Sequence, residues 1–162
     1  IVPALTILVP LYKFIVDIKG ISTYWAIILI HITFNLPLTI FLFTSFINTI
    51  PRELDEAALI DGCSRFGVFY RVIFPALKPV IATVVIIASR DIWNDFQFSI
   101  FFLGKREVQT VNVTLSTFIT MFSNNLGWVA AGCVVGLIPL TVVYLALQKY
   151  FIKGLTEVTV KV

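Results

Sequence analysis

Two long stretches of the chain carry no charged side chain: none stands between Lys19 and Arg52, and none between Glu107 and Lys149. Each is long enough for the roughly 20 predominantly apolar residues of a bilayer-spanning helix. The pattern predicts four spans, at about 1 to 16, 25 to 47, 79 to 103 and 127 to 149. The runs are continuously apolar and broken by single Gly and Pro residues, without the short alternating segments of a closed β-barrel. The expected fold class is therefore an all-α membrane protein, a polytopic bundle of transmembrane helices. Tyr24 and Trp25 open the second span and Trp128 the fourth, as amphipathic rings do at the headgroup level.

The pattern changes between the second and third spans. Leu54, Ala57 and Ala58 recur at i, i+3 and i+4, and Glu53, Asp55 and Glu56 cluster where a helix dipole favours acids. Gly62 can close this short helix in the left-handed conformation. Ser64 then stands as the N-cap of a second helix, with Phe66, Phe69, Tyr70 and Ile73 on one face and Pro75 at its end. Each piece is on the order of 15 Å long at 1.5 Å per residue, too short to cross a bilayer. A helical hairpin at about 48 to 78, lying at the membrane surface, is the expectation. Two helices around a glycine turn also describe a DNA-reading motif, but spans tether this pair closely on both sides, leaving little reach into a major groove. A plain connecting loop packed on its own spans is a second reading. A few polar residues would suffice to join two spans, so an exposed apolar face with charged borders points instead to a protein partner.

Composition agrees with the membrane reading: of 162 residues 59% are hydrophobic and 13% charged, and the mean hydropathy is +0.98. The net charge of +3 comes from scattered basic residues interrupted by acids, so no nucleic-acid partner is implied. Cys63 and Cys133 lie in different settings with no Cys or His at ligand spacing, which supports neither a disulfide nor a metal site. No Ser/His, paired-Asp or HExxH arrangement points to an enzyme, and no Gly-rich phosphate loop to bound ATP. The opening IVPALTILVPLY has neither a basic leader nor a small-residue cleavage site and reads as a chain cut within a helix. Arg52, Arg65, Arg71, Lys78, Lys149, Lys153 and Lys161 fall on one side of the predicted spans, against Lys13, Lys19, Lys105 and Arg106 on the other. By the excess of basic residues in cytoplasmic loops, the hairpin and the C-terminus are expected in the cytoplasm.

Polar groups within the spans need a reason, since each mid-bilayer charge costs about 3 kcal/mol on insertion scales. On a continuous third span Asp91, Asn94 and Asp95 share one face, continued by Phe98, beside Arg90. They suit either the wall of a solute pathway, where carboxylates and amides meet sugar hydroxyls, or a polar contact between helices. In the second span His31, Asn35 and Thr39 follow at four-residue steps, and Pro37 would free a backbone carbonyl nearby. This stripe is read as interhelical hydrogen bonding ahead of a ligand or proton-carrier role. Asn112-Val113-Thr114 fits a glycosylation acceptor by chance and supports exposure on the outer side.

Glu56-Ala57-Ala58, Gly62 and Pro75 stand at the intervals of the EAA loop of ABC importer permeases, with Val72 and Phe74 replacing the usual Ile and Leu. Ile50-Pro51-Arg52-Glu53-Leu54, Trp93-Asn94-Asp95-Phe96 and the segment from Gln148 to Thr156 extend the match over nearly the whole chain. The chain thus resembles the carbohydrate-type permeases similar to the smaller permease subunit of maltose transporters. The resemblance implies one transmembrane permease domain over 1 to 162, with four of about six spans present and about two N-terminal ones lacking. It implies a multi-pass protein of a bacterial-type inner membrane, paired with a second permease subunit, served by an extracytoplasmic solute-binding protein and driven by a cytoplasmic ATPase pair that binds the ATP. Glu56, Ala57, Ala58, Asp61, Gly62 and Pro75 become the ATPase-coupling residues. Asp91, Asn94, Asp95, His31 and Asn35 become candidates for the translocation pathway. The Arg90-Asp91 step departs from the family, where that position is usually small or apolar. Glycerol phosphate or another small solute is the alternative cargo. A proton-coupled secondary transporter is a more distant reading, against which no paired half-helix repeat is visible.

Overall fold

The computed structural model describes the backbone of residues 4–121 and 126–159, and every described element is helical. A 3₁₀ turn, Ala4–Ile7, leads into α1 (Leu8–Asp17), followed by α2 (Tyr24–Ile47). The hairpin comprises α3 (Glu53–Ile60), α4 (Arg65–Val68), a π-helical turn over Phe69–Ile73 and α5 (Phe74–Ala76). Then come α6 (Lys78–Trp93), α7 (Gln97–Phe102), a 3₁₀ turn at Arg106–Val108, α8 (Val111–Met121) and α9 (Leu126–Thr159).

Two of the four predicted spans are unbroken helices long and apolar enough to cross a bilayer, Tyr24–Ile47 and Leu126–Tyr150. Helix α2 continues through Pro37, where the proline removes a backbone donor; one turn earlier the Thr33 hydroxyl donates to the Leu29 carbonyl at 2.8 Å. The start of the predicted first span, residues 1 to 3, lies outside the described residues; its remainder is the ten-residue α1 with Pro10 in the first turn, where no intrahelical N–H is missed. The predicted third span is not one helix. It ends as α6 at Trp93 and resumes as α7 at Gln97.

The described residues form two compact units. One comprises the chain up to Phe34 with Asp91–Leu140. Its apolar core gathers Ile15, Ala26, Ile27, Ile30, Phe98, Phe102 and Leu103, with Phe102 and Leu103 sealed from solvent. Helix α1 stops because Lys19 takes a left-handed φ of 57°, so that Gly20 N–H reaches the Ile15 carbonyl (2.8 Å) and Lys19 N–H that of Val16 (2.9 Å). The turn is pinned to the end of α7, since Ser22 N–H donates to the Phe102 carbonyl (2.7 Å) and the Ser22 hydroxyl accepts from Lys105 N–H (3.2 Å).

Helix α8 is not among the predicted elements. Val111, Leu115 and Phe118 at i, i+4 and i+7 are the signal that could have found it. It packs against Gly132 and Gly136 of α9: a Cβ on Gly132 would run into the Leu115 side chain, and one on Gly136 would stand 3.8 Å from Val111. Small residues four apart let two helices approach closely where lipid offers no hydrophobic drive.

The other unit comprises Asn35–Arg90 and the chain from Thr141 onward, and holds the hairpin. Its buried side chains include Ala58, Val68, Leu77, Val80 and Ala82. Helix α9 carries the C-terminal motif as far as Thr159, and the side chains of that motif beyond Tyr150 lie outside the described residues, as does Lys161.

Candidate functional site

The hairpin is built by two local devices. Helix α3 has Glu53, Asp55 and Glu56 in its first turn, which complements the partial positive charge of a helix start. It closes at Gly62, whose φ of +81° lies in the left-handed region. Gly62 N–H donates to the Leu59 carbonyl and Cys63 N–H to that of Ala58, both at 3.0 Å, so the last carbonyls of α3 are paired. No atom lies within 4 Å of where a Cβ on Gly62 would stand, so its backbone conformation, not space, is what asks for glycine there. One residue after Cys63, extended Ser64 accepts Gly67 N–H on its hydroxyl at 3.2 Å and starts α4.

Pro75 does not end the second arm. It lacks the N–H that would donate to Arg71, and its ring crowds that carbonyl. The helix widens instead: Phe74 N–H donates to the Phe69 carbonyl five residues back, and the helical path runs on to Ala76. The direction changes after Leu77, where Arg65–Ala76 and Lys78–Trp93 meet at 64°.

Glu56, Ala57, Asp61, Gly62 and Pro75 are all exposed, whereas Ala58 turns inward and is 9% exposed. The expected apolar face of the second arm is mostly outward, with Phe66 79% and Tyr70 65% exposed, and Val68 is the residue that turns in. Asp55, Leu59, Arg65, Val68, Phe69 and Ile73 line an open groove of the hairpin.

The interruption of the third span corrects the expected single face of Asp91, Asn94 and Asp95. Asp91 is on α6, Asn94 in the turn that follows and Asp95 beyond it. A break inside a membrane exposes backbone groups that cost several kcal/mol if unpaired. Side chains supply partners on both sides of the break. Asp95 Oδ1 accepts Phe98 N–H at 3.0 Å, and its Oδ2 accepts Ser99 N–H at 2.9 Å and the Ser99 hydroxyl at 2.7 Å. Asp95 therefore caps α7 over a Ser99 that is fully buried. The Trp93 carbonyl, left without Gln97 N–H as its helical partner, accepts the Asn112 side-chain amide at 2.7 Å. The Trp93 indole N–H donates to the Gly136 carbonyl at 2.9 Å and ties α6 to α9.

Asn112 is thus half-buried with its amide in use, which corrects the expectation of simple outer exposure. His31 Nε2 lies 3.6 Å from Asp95 Oδ2, with the two side chains only 13% and 8% exposed. Its ring also meets Phe98 edge-on at 6.4 Å between centroids. Asn35 and Thr39 are half-buried one and two turns further along α2, whereas Asp91 and Asn94 are exposed. Of the five residues expected along a pathway, Asp95, within the break, meets His31 of α2. Among the described residues no cluster of His, Cys, Asp and Glu could hold a metal ion.

These features can be set beside known proteins. The chain is 47% identical over 162 residues to the melibiose/raffinose/stachyose import permease protein MelC of Bacillus subtilis, covering 99% of this chain and 59% of the relative. It is 34% identical to the arabinooligosaccharides transport system permease protein AraQ of the same organism, over 99% of this chain and 56% of the relative. To the trehalose/maltose transport system permease protein MalG of Thermococcus litoralis it is 31% identical, over 98% of this chain and 58% of the relative. The chain thus spans less than two thirds of the length of these relatives. The family model of the binding-protein-dependent transport system inner membrane component matches residues 1–157, and the chain belongs to that family.

Proposed function

We propose that this chain is the greater part of a permease subunit of an ATP-driven importer for sugars, and that the hairpin is its contact with the motor. The observation that carries this reading is the hairpin itself: a short acidic helix, closed by Gly62 and Ser64, that presents Glu56, Ala57 and Asp61 outward from a chain embedded in the bilayer. The names of the relatives, all sugar transport permeases, support the cargo class. In this reading a cytoplasmic ATPase pair binds the ATP, a second permease subunit completes the pathway, and an extracytoplasmic binding protein delivers the solute. The hairpin and C-terminus face the cytoplasm. A connector of this kind works if it moves rigidly with the helices that it joins, so that closure of the ATPase favours one facing of the pathway.

Within the pathway, the exposed Asn94 is the residue we assign to the solute, because a polar side chain open at membrane depth needs water, solute or a partner subunit beside it. Asp95 is assigned to structure, since its carboxylate already accepts three hydrogen bonds. That assignment also disfavours a proton relay through His31 and Asp95. The test is the assembled transporter with Glu56→Ala or Gly62→Val in the full-length subunit. Both should insert normally and lose most of the solute-stimulated ATP hydrolysis. Wild-type stimulation in both would defeat the coupling role.

A further inference from the structure

The second arm of the hairpin has a chemistry opposite to that of the first. The first arm and its turn carry Glu53, Asp55, Glu56 and Asp61 against Arg52. From Ser64 to Arg90 there is no acidic residue, and the arm itself offers Arg65 and Arg71, with Lys78 at the start of α6, all exposed. Phe66, Tyr70 and Phe74 follow at four-residue steps and are 79%, 65% and 46% exposed. The rings of Phe69, Tyr70 and Phe74 meet edge-on or tilted in one patch, with centroids 5.1 to 6.4 Å apart. Arg65, Phe66, Phe69 and Tyr70 line an open depression on this surface.

Position decides what such a surface meets. Only Leu77 separates this arm from α6, and the two are bent by 64°. For a span close to the bilayer normal, an arm bent that far lies nearer the membrane plane than the normal. No linker is present to carry the patch away from the lipid. Aromatic rings bordered by arginine and lysine are the residues of the headgroup zone, where rings sit among the glycerol and first methylenes and guanidinium groups pair with phosphates.

We infer that Arg65–Lys78 is an interfacial segment that binds anionic phospholipid headgroups, with Arg65, Arg71 and Lys78 on the phosphates and Phe66, Tyr70 and Phe74 seated at the acyl-chain boundary. Charge complementarity selects anionic over zwitterionic lipid, because each basic residue near a negatively charged surface adds to binding. The acidic first arm stays free for a protein partner. This inference goes beyond the transport reading and does not rest on it, since a bent juxtamembrane arm of this composition would seat in lipid whatever the chain carries.

The test is a nitroxide at Phe66→Cys in a Cys63→Ser/Cys133→Ser background, in the full-length subunit assembled with its partners. Bilayers of phosphatidylcholine are compared with bilayers that also contain phosphatidylglycerol. Collisions with oxygen, which concentrates in lipid, and with a water-soluble nickel chelate report where the label sits. The expected result is oxygen access that rises with phosphatidylglycerol content. Arg65→Gln/Arg71→Gln should weaken the response at a given phosphatidylglycerol content, the partition constant falling on the order of fivefold per arginine removed. Three outcomes would overturn the inference: nickel access that only the ATPase blocks, which assigns the patch to the motor; a label closed to both reagents without the ATPase, which assigns it to the chain's own remaining segments; or lipid access indifferent to phosphatidylglycerol. If the double variant fails to assemble, the lipid response of the labelled arm still decides.

Discussion

Asp95 and Asn94 are neighbours with different work. Asp95 accepts two backbone N–H groups and a hydroxyl in a largely dry setting. Asp95→Ala removes the cap of α7 and leaves buried Ser99 without its partner, which should cost about 2 kcal/mol. Asp95→Asn keeps one carbonyl oxygen as an acceptor and should lose about half as much. Asn94, exposed in the turn, should behave differently: Asn94→Ala should leave the thermal midpoint of the assembled transporter within a degree or so while raising the solute concentration for half-maximal uptake. Thermal unfolding in detergent alongside uptake titration checks both. A midpoint shift for Asn94→Ala with unchanged uptake would reverse the two assignments. Sequence placed both residues in the membrane but could not separate them, because a continuous helical face was the simplest reading and the break depends on partners that are distant in the chain.

Helices α8 and α9 meet through Gly132 and Gly136, and the hairpin turns at Gly62, so three glycines act at the level of whole elements. At Gly62 the space is open and the constraint is the backbone, so the expected cost grows from Ala to β-branched Val and reaches about 1–2 kcal/mol. That distinguishes the turn from a contact site: Gly62→Ala should retain more coupled ATP hydrolysis than Gly62→Val. At Gly132 the constraint is steric. Gly132→Leu should force α8 away from α9 and loosen the Asn112 and Trp93 hydrogen bonds that hold the broken span. Faster hydrogen exchange in Val111–Leu115, with membrane insertion intact, is the expected reading; unchanged exchange would mean that the two helices repack freely. The hairpin was legible beforehand because Gly62 and Ser64 act through bonds to residues three to five positions away. Helix α8 was not, since eleven residues between polar segments carry a weak periodic signal and owe their place to α9.

The molecule as a whole is a membrane protein whose sidedness follows, in the proposed function, from the seven basic residues on the hairpin side against four opposite. Ile60, 86% exposed at the tip of α3, offers a direct check. Ile60→Cys in a background without Cys63 and Cys133 should react with a membrane-impermeant maleimide in inside-out vesicles and stay silent in right-side-out ones. It should also be shielded when the ATPase is added. Labelling from the opposite face would put the hairpin out of reach of any cytoplasmic motor and end the coupling account.

Membrane residence, helical class and the capped hairpin could be read from residue order, because a bilayer demands internally paired backbone and long apolar runs, and because helix caps are short-range. Family membership could be read as well, from motifs in the right succession. The break at Asn94, the roles of Asp95 and Asn112, the inward turn of Ala58 and the seat of α8 belong to the folded state. Each depends on a donor, acceptor or close surface brought from elsewhere in the chain, as Asn112 is brought to the Trp93 carbonyl and Leu115 to Gly132. Periodicity along one segment holds no record of such partners.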